Sequence, residues 1–225
     1  MKQYKAVIFD WDGTLVDSTD WVLGAHNHVR EFMNQPLWTK DDIFGCSSLS
    51  TRELYPKIYG DKAQEAMALL FEYTDKYNLE SAKPYDGAKD VLDTLAEMDL
   101  PLGVVSNKRH EALSAVIEHM EWNKYFSSTV GAGYADRDKP SAIPLLFSIN
   151  EIHSDMTPAD ILYVGDTETD LLCAQNTGCD AVFIQNGGER PDLIEKYAPK
   201  HNFMTTNAFY SFILEQKEPQ TAKIA

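Results

Sequence analysis

The stretch Ala6-Val7-Ile8-Phe9-Asp10-Trp11-Asp12-Gly13-Thr14 decides the reading of this chain. Four apolar residues end abruptly at an acid, and a second acid follows two positions later, before a glycine. A short apolar run bounded by turn signals reads as a strand buried on both faces, as in a parallel sheet. Leu102-Gly103-Val104-Val105 before Ser106 has the same shape, as do Ile161-Leu162-Tyr163-Val164 before Gly165-Asp166 and Ala181-Val182-Phe183-Ile184 before Gln185-Asn186. Ser128-Thr129-Val130 is a shorter candidate.

Helical patterns fill the intervals, over residues 88–98, 111–119, 141–149, 169–176 and 207–215. Strands alternating with helices predict an α/β protein with a doubly wound parallel sheet. Ligands bind such sheets outside the carboxyl ends of the strands, so the residues after each run are where chemistry belongs. The alternation fails between residues 18 and 83, where only helical patterns occur, over 20–33, 51–59 and 63–77. Pro84-Tyr85-Asp86-Gly87 then reads as a turn. The expected organisation is a core of residues 1–17 and 84–225 with an inserted helical cap, 18–83, able to act as a lid over the strand ends.

Composition narrows the function classes. The chain has 225 residues and a formal net charge of −15, so phosphate backbones and anionic membrane faces are repelled and nucleic acid is not an expected partner. Three cysteines, Cys46, Cys173 and Cys179, have no metal-type spacing and are too few for a disulfide framework. They read as small apolar residues in a reducing compartment. The chain starts in a strand rather than a leader, and no stretch approaches the roughly 18 apolar residues of a membrane span, so a cytoplasmic location is expected. Residues 217–225 read as a polar tail. The sequence is compatible with a monomer or a homodimer.

Four strand ends carry chemistry. Asp10 and Asp12 stand where a loop turning at Gly13 can bring both carboxylates to one pocket. Asp10 can attack phosphorus, and Asp12 can protonate the leaving oxygen and then activate water. The alternative is a surface Asp-Gly turn. Ser106, with Asn107 beside it, can hold a phosphoryl oxygen near backbone N–H groups at a helix start, or simply cap that helix. Lys139 offers a compact cation for a phosphoryl group and for keeping Asp10 ionised, or is a surface lysine. Gly165-Asp166-Thr167-Glu168-Thr169-Asp170 crowds carboxylates as Mg²⁺ sites do, or caps a helix with favourable charge. Taken in order, the four ends supply what phosphoryl transfer requires: nucleophile, acid/base, oxygen clamps and a neutralising metal.

With these residues in place the chain resembles the haloacid dehalogenase-like hydrolases. Asp10-Trp11-Asp12-Gly13-Thr14-Leu15-Val16-Asp17-Ser18 is similar to the family's first motif, Ser106 to its second, Lys139 to its third, and Gly165-Asp166 with Asp170 to its fourth. The resemblance implies a Rossmann-like core, Mg²⁺ held by Asp10, Asp166 and the backbone carbonyl of Asp12 with Asp170 in support, and a helical cap after the first motif. Ser106-Asn107-Lys108 and Lys139-Pro140-Ser141-Ala142-Ile143-Pro144 look most like the phosphoglycolate phosphatase branch, which usually has proline at the position of Ala142 and often threonine at that of Ser106. The expected substrate is then a small phosphorylated metabolite such as phosphoglycolate. Gly45 and Arg52 stand where cap residues of similar proteins approach the active site, and Arg52 is the candidate to grip a substrate carboxylate. A closed lid should leave little room beside the phosphate. Trp11 reads as packing against the sheet, and Trp21, His26 and His28 as packing or surface residues.

Three other readings are open at this stage. A dehalogenase would have no use for the acid Asp12. A sugar-phosphate mutase would keep every core residue. A non-catalytic binding protein on this scaffold would be expected to lose a nucleophile or metal ligand, and none is missing.

Overall fold

The first apolar run forms β1 (Ala6–Phe9), and all four of its residues are buried. The computed structural model describes residues 3–46, 49–81 and 83–217. The Cys46 side chain and the tail from residue 218 onward lie outside them. The other runs form β2 (Leu102–Arg109), β3 (Phe126–Ala132), β4 (Ile161–Gly165) and β5 (Asp180–Ile184), and β6 (His201–Phe203) closes the far edge. All neighbours pair in parallel, in the order β3-β2-β1-β4-β5-β6, the doubly wound arrangement expected from the alternation.

Because strand side chains alternate, β1 feeds two cores. Val7 and Phe9 face a cluster that includes Leu92 and Leu95 of α5 (Ala88–Glu97), Leu113 of α6 (His110–His119) and Phe209 of α10 (Thr206–Lys217). Ala6 and Ile8 face Leu145 and Ile149 of α7 (Ile143–Ile152), and Cys173 and Ala174 of α8 (Glu168–Thr177). Each large side chain buried fully in these layers contributes about 1.5–3 kcal/mol. Trp11 is wholly buried and meets Trp122 edge-on, with ring centroids 5.8 Å apart, so it packs as expected.

Between β1 and β2 the chain forms only helices: α1 (Thr19–Phe32), α2 (Lys40–Cys46), α3 (Thr51–Tyr59) and α4 (Ala63–Tyr77). They have a small core of their own, Val29, Tyr55 and Ala66, with Met33, Tyr59, Met67, Leu69 and Leu70 against it. The outgoing and returning segments are tied together where Asp17 N–H donates to Lys83 O and Tyr85 N–H to Leu15 O.

Three local readings need correction. β2 continues through Ser106, Asn107 and Lys108, so these residues extend the strand, and α6 starts only at His110. The helix after Lys139 starts at Ile143 rather than 141, with Pro144 in its first turn, where a missing N–H costs nothing. The short elements α2, β6 and α9 (Pro191–Tyr197) were not anticipated.

Candidate active site

The chain runs from β1 outward through β2 to β3, then crosses back to β4 on the other side of β1. The crevice at that reversal is where open sheets of this type bind ligands. Asp10 follows β1 directly and Asp166 follows β4 directly. The Asp10 N–H donates to Val164 O at 2.8 Å, which keeps the two strand ends level. Thr14 Oγ1 donates to Asp166 Oδ1 at 2.8 Å. Gly13, at φ +88°, lets the loop pass so close to Asp166 that any Cβ would collide with its carboxylate.

Lys139 binds the site together. Its ammonium has three N–H donors, and three acceptors meet it: Asp10 Oδ1 at 2.6 Å, Asp170 Oδ1 at 2.7 Å and Tyr163 Oη at 3.1 Å. Burial alone would lower its pKa, but the carboxylates of Asp10 and Asp170 reverse that and hold it charged. Asp170 is placed by a capping box at the start of α8, its Oδ2 accepting from Thr167 N–H at 3.0 Å and Thr167 Oγ1 at 2.6 Å. Burial pushes the Asp170 carboxyl up, yet Lys139 and the Thr167 hydrogen bonds bring it below the usual range.

The donor set fits a divalent cation. Oxygens of Asp10, Asp166 and Asp170 lie within 4.8 Å of one another. Burial first, and the neighbouring carboxylates next, push Asp166 well above the usual carboxylate range. Burial likewise raises Asp10, with Lys139 pulling against it. With all four ionised, as cation binding requires, the carboxylates of Asp10, Asp12, Asp166 and Asp170 share two ammonium groups, Lys108 and Lys139, a deficit of two charges that one Mg²⁺ would remove.

Ser106 is buried on the floor of the cavity, where its Oγ accepts from Lys108 N–H at 3.2 Å. Asn107 was expected to hold substrate. It lines the cavity, and its amide pairs with the Lys139 main chain, donating to Lys139 O at 3.1 Å and accepting from Lys139 N–H at 3.0 Å, so it also fixes the lysine's backbone. Lys108 Nζ lies 3.5 Å from Asp12 Oδ1 and 4.1 Å from the Trp21 ring centroid.

The inserted helices stand over these residues and line with them a partly open cavity of about 550 Å³. Arg52 does line it, but its Nη1 is 3.2 Å from Asp138 Oδ1, an acceptor that also takes Gly133 N–H at 3.0 Å. The expected grip of Arg52 on a substrate carboxylate therefore competes with a carboxylate of the protein. Trp21 packs as expected and donates its indole N–H to Tyr77 O at 3.0 Å. His26 pairs with Tyr55 Oη at 3.0 Å. Gly45 has nothing within 4 Å of its Cβ position. Cys173 is buried and Cys179 half-buried, and burial pushes each thiol up to about 12.

Sequence reasoning missed Tyr163, Thr14, Thr167 and Asp138 as members of the site. Tyr163 lies in an apolar strand and reads as packing. Thr167, three positions before Asp170, carried a capping-box signal that names it directly. The pairings of Thr14 with Asp166 and of Asp138 with Arg52 left no local signal.

The haloacid dehalogenase-like hydrolase family model matches residues 7–184. The chain belongs to this family. It is 30% identical over 200 residues to the phosphoglycolate phosphatase of Chromobacterium violaceum, covering 83% of this chain and 87% of that protein. It is 27% identical over 224 residues to that of Salmonella typhi, covering 88% of each. Among solved structures, a haloacid dehalogenase-like family hydrolase from Streptococcus pneumoniae superposes with a TM-score of 0.80 at 23% identity, over 94% of this chain and 99% of that one, which bears on the fold. The chain is thus an enzyme, a phosphatase of the phosphoric monoester hydrolase class, on the branch similar to phosphoglycolate phosphatases. Among the described residues no helix is long and apolar enough to cross a membrane.

Proposed function

We propose that this phosphatase is Mg²⁺-dependent and hydrolyses a small phosphorylated metabolite through an aspartyl phosphate on Asp10. The observation that carries the reading is the convergence of Asp10, Lys139, Asp166 and Asp170, from three separate segments, at the switch point of the sheet. The relatives' name makes phosphoglycolate the first substrate to test. Residues 18–83 act as the cap and the rest of the chain as the core, in line with the separate hydrophobic cluster of the inserted helices.

In the first step an Asp10 carboxylate oxygen bonds to phosphorus while the ester P–O bond breaks, and Asp12 gives its proton to the departing oxygen. In the second, Asp12 takes a proton from water, whose oxygen bonds to phosphorus as the Asp10 O–P bond breaks. Phosphate leaves, with Asp10 restored as a carboxylate and Asp12 as the acid. Lys139 orients Asp10, and Ser106 is in reach of a phosphoryl oxygen on the cavity floor. Asp10, Asp166 and the Asp12 carbonyl would hold Mg²⁺ with Asp170 in support, and the bound ion supplies charge neutralisation for the phosphoryl oxygens.

Phosphate release from a panel of phosphomonoesters with Mg²⁺, comparing the native chain with Asp10→Asn, tests the reading. Release by the native chain alone supports it. Equal release by Asp10→Asn contradicts it, and isomerised product formed only with a bisphosphate activator would favour a mutase.

A further inference from the structure

Phosphoglycolate has only about nine non-hydrogen atoms, whereas the cavity over Asp10 has about 550 Å³, within the range of pockets that take larger organic ligands. The inserted helices are tied to the core by Arg52–Asp138, by Arg109–Asp75 and by Asn78 Nδ2 donating to Ala112 O at 2.6 Å. The walls contributed by α1 and α4 are mostly apolar, with Trp21, Val22, Ala25, Met67, Leu70 and Phe71 beside the polar His26 and Thr74.

Most cations around the cavity already face a carboxylate, while the buried Lys108 ammonium, beside Asp12, has no hydrogen-bond partner. Lys139 serves Asp10 and Asp170, Lys108 lies between Asp12 and the Trp21 ring, Arg52 pairs with Asp138, and Arg109 pairs with Asp75 and Glu111. A carboxylate close to the phosphate could meet Lys108, but farther in, between α1 and α4, it would stand among largely apolar side chains, and burying such a charge without a partner is costly. An apolar group there instead releases water from both surfaces.

Resting on the hydrolase reading above, we infer that the preferred substrate is a phosphomonoester of an alcohol with an apolar, ring-sized tail, which α1 and α4 receive. Asp12 and the core residues treat the ester oxygen of such a substrate as they would that of phosphoglycolate. Selection comes from the tail.

The test compares kcat/KM with Mg²⁺ for phosphoglycolate, ethyl phosphate and 2-phenylethyl phosphate. All three leave as primary alkyl oxygens, so differences report the tail rather than leaving-group chemistry. Single apolar groups in such pockets are worth 10–200-fold. The expected result is at least about tenfold preference for 2-phenylethyl phosphate over both others. Val22→Phe, which fills the apolar part, should reduce that preference, and a circular-dichroism melt checks that the variant folds. Phosphate release with phosphoglycolate preferred overturns this inference and leaves the hydrolase reading standing. Release from none of the three esters, nor from the wider panel, overturns the hydrolase reading and this inference with it.

Discussion

Lys139 and Asp170 meet at 2.7 Å, and the same ammonium reaches Asp10 at 2.6 Å, so one buried cation neutralises both carboxylates and sets the distance between them. Each partner is at most 7% exposed in its side chain, so removing the cation leaves charge that water cannot screen. Lys139→Ala is expected to reduce kcat by at least about 10²-fold and to destabilise the fold by about 3–5 kcal/mol. Steady-state kinetics and urea unfolding check the two effects. Native stability and activity in the variant would remove Lys139 from its assigned place.

Metal binding has a readout independent of turnover. Mg²⁺ at a hundredfold excess over its dissociation constant should stabilise the fold by about 2.7 kcal/mol, seen as a rise in Tm that excess EDTA reverses. Asp166→Asn should lose most of that rise, and Ca²⁺ should bind yet inhibit turnover, because its looser coordination spoils the in-line geometry. An unchanged Tm for the native chain with Mg²⁺ would contradict the proposed site.

Arg52 and Asp138 should behave as a couple. The arginine side chain is 48% exposed, which limits the coupling energy between them to about 0.2–1 kcal/mol in a double-mutant cycle. Arg52→Ala should change KM similarly for phosphoglycolate and for a neutral-tailed ester, because its role is to hold α3 to the core. A selective rise in KM for phosphoglycolate would restore Arg52 as a carboxylate clamp.

His26 makes the inserted helices sensitive to acid. Burial, with Arg30 adding, pushes its imidazole down to about 4. An unfolded chain takes up this proton near 6.5, the folded chain only near 4, so below about pH 6.5 the unfolded state binds more protons. The His26 contribution is therefore complete above that pH and is lost as pH falls toward 4. His26→Gln cannot titrate, so its Tm should fall less than the native one between about pH 7 and about pH 5. Parallel curves for the two proteins would contradict the assignment.

The sheet and the acids at its ends were legible because burial on both faces forces continuous apolar runs, and a run must stop where chemistry begins. Asp10, Asp166 and Lys139 stand out for that reason. β6 escaped because its residues are only three and none is buried, which leaves no apolar run to see. Asn107 sits in a motif, but its partner is a backbone 32 positions away, and sequence reports side-chain types rather than main-chain positions. The cavity was the least legible feature. Its volume depends on how α1 and α4 pack over the strand ends, while the apolar residues facing it have the same spacing as a helix core.

The central claim is that phosphorus passes through Asp10. The most direct measurement is to mix the native chain with substrate and Mg²⁺, quench with borohydride, and map the peptide containing residue 10 by mass spectrometry. Borohydride reduces an aspartyl phosphate to homoserine. The account predicts homoserine at position 10 only when substrate is present. Phosphate release with Asp10 unmodified and another carboxylate reduced in its place would contradict it.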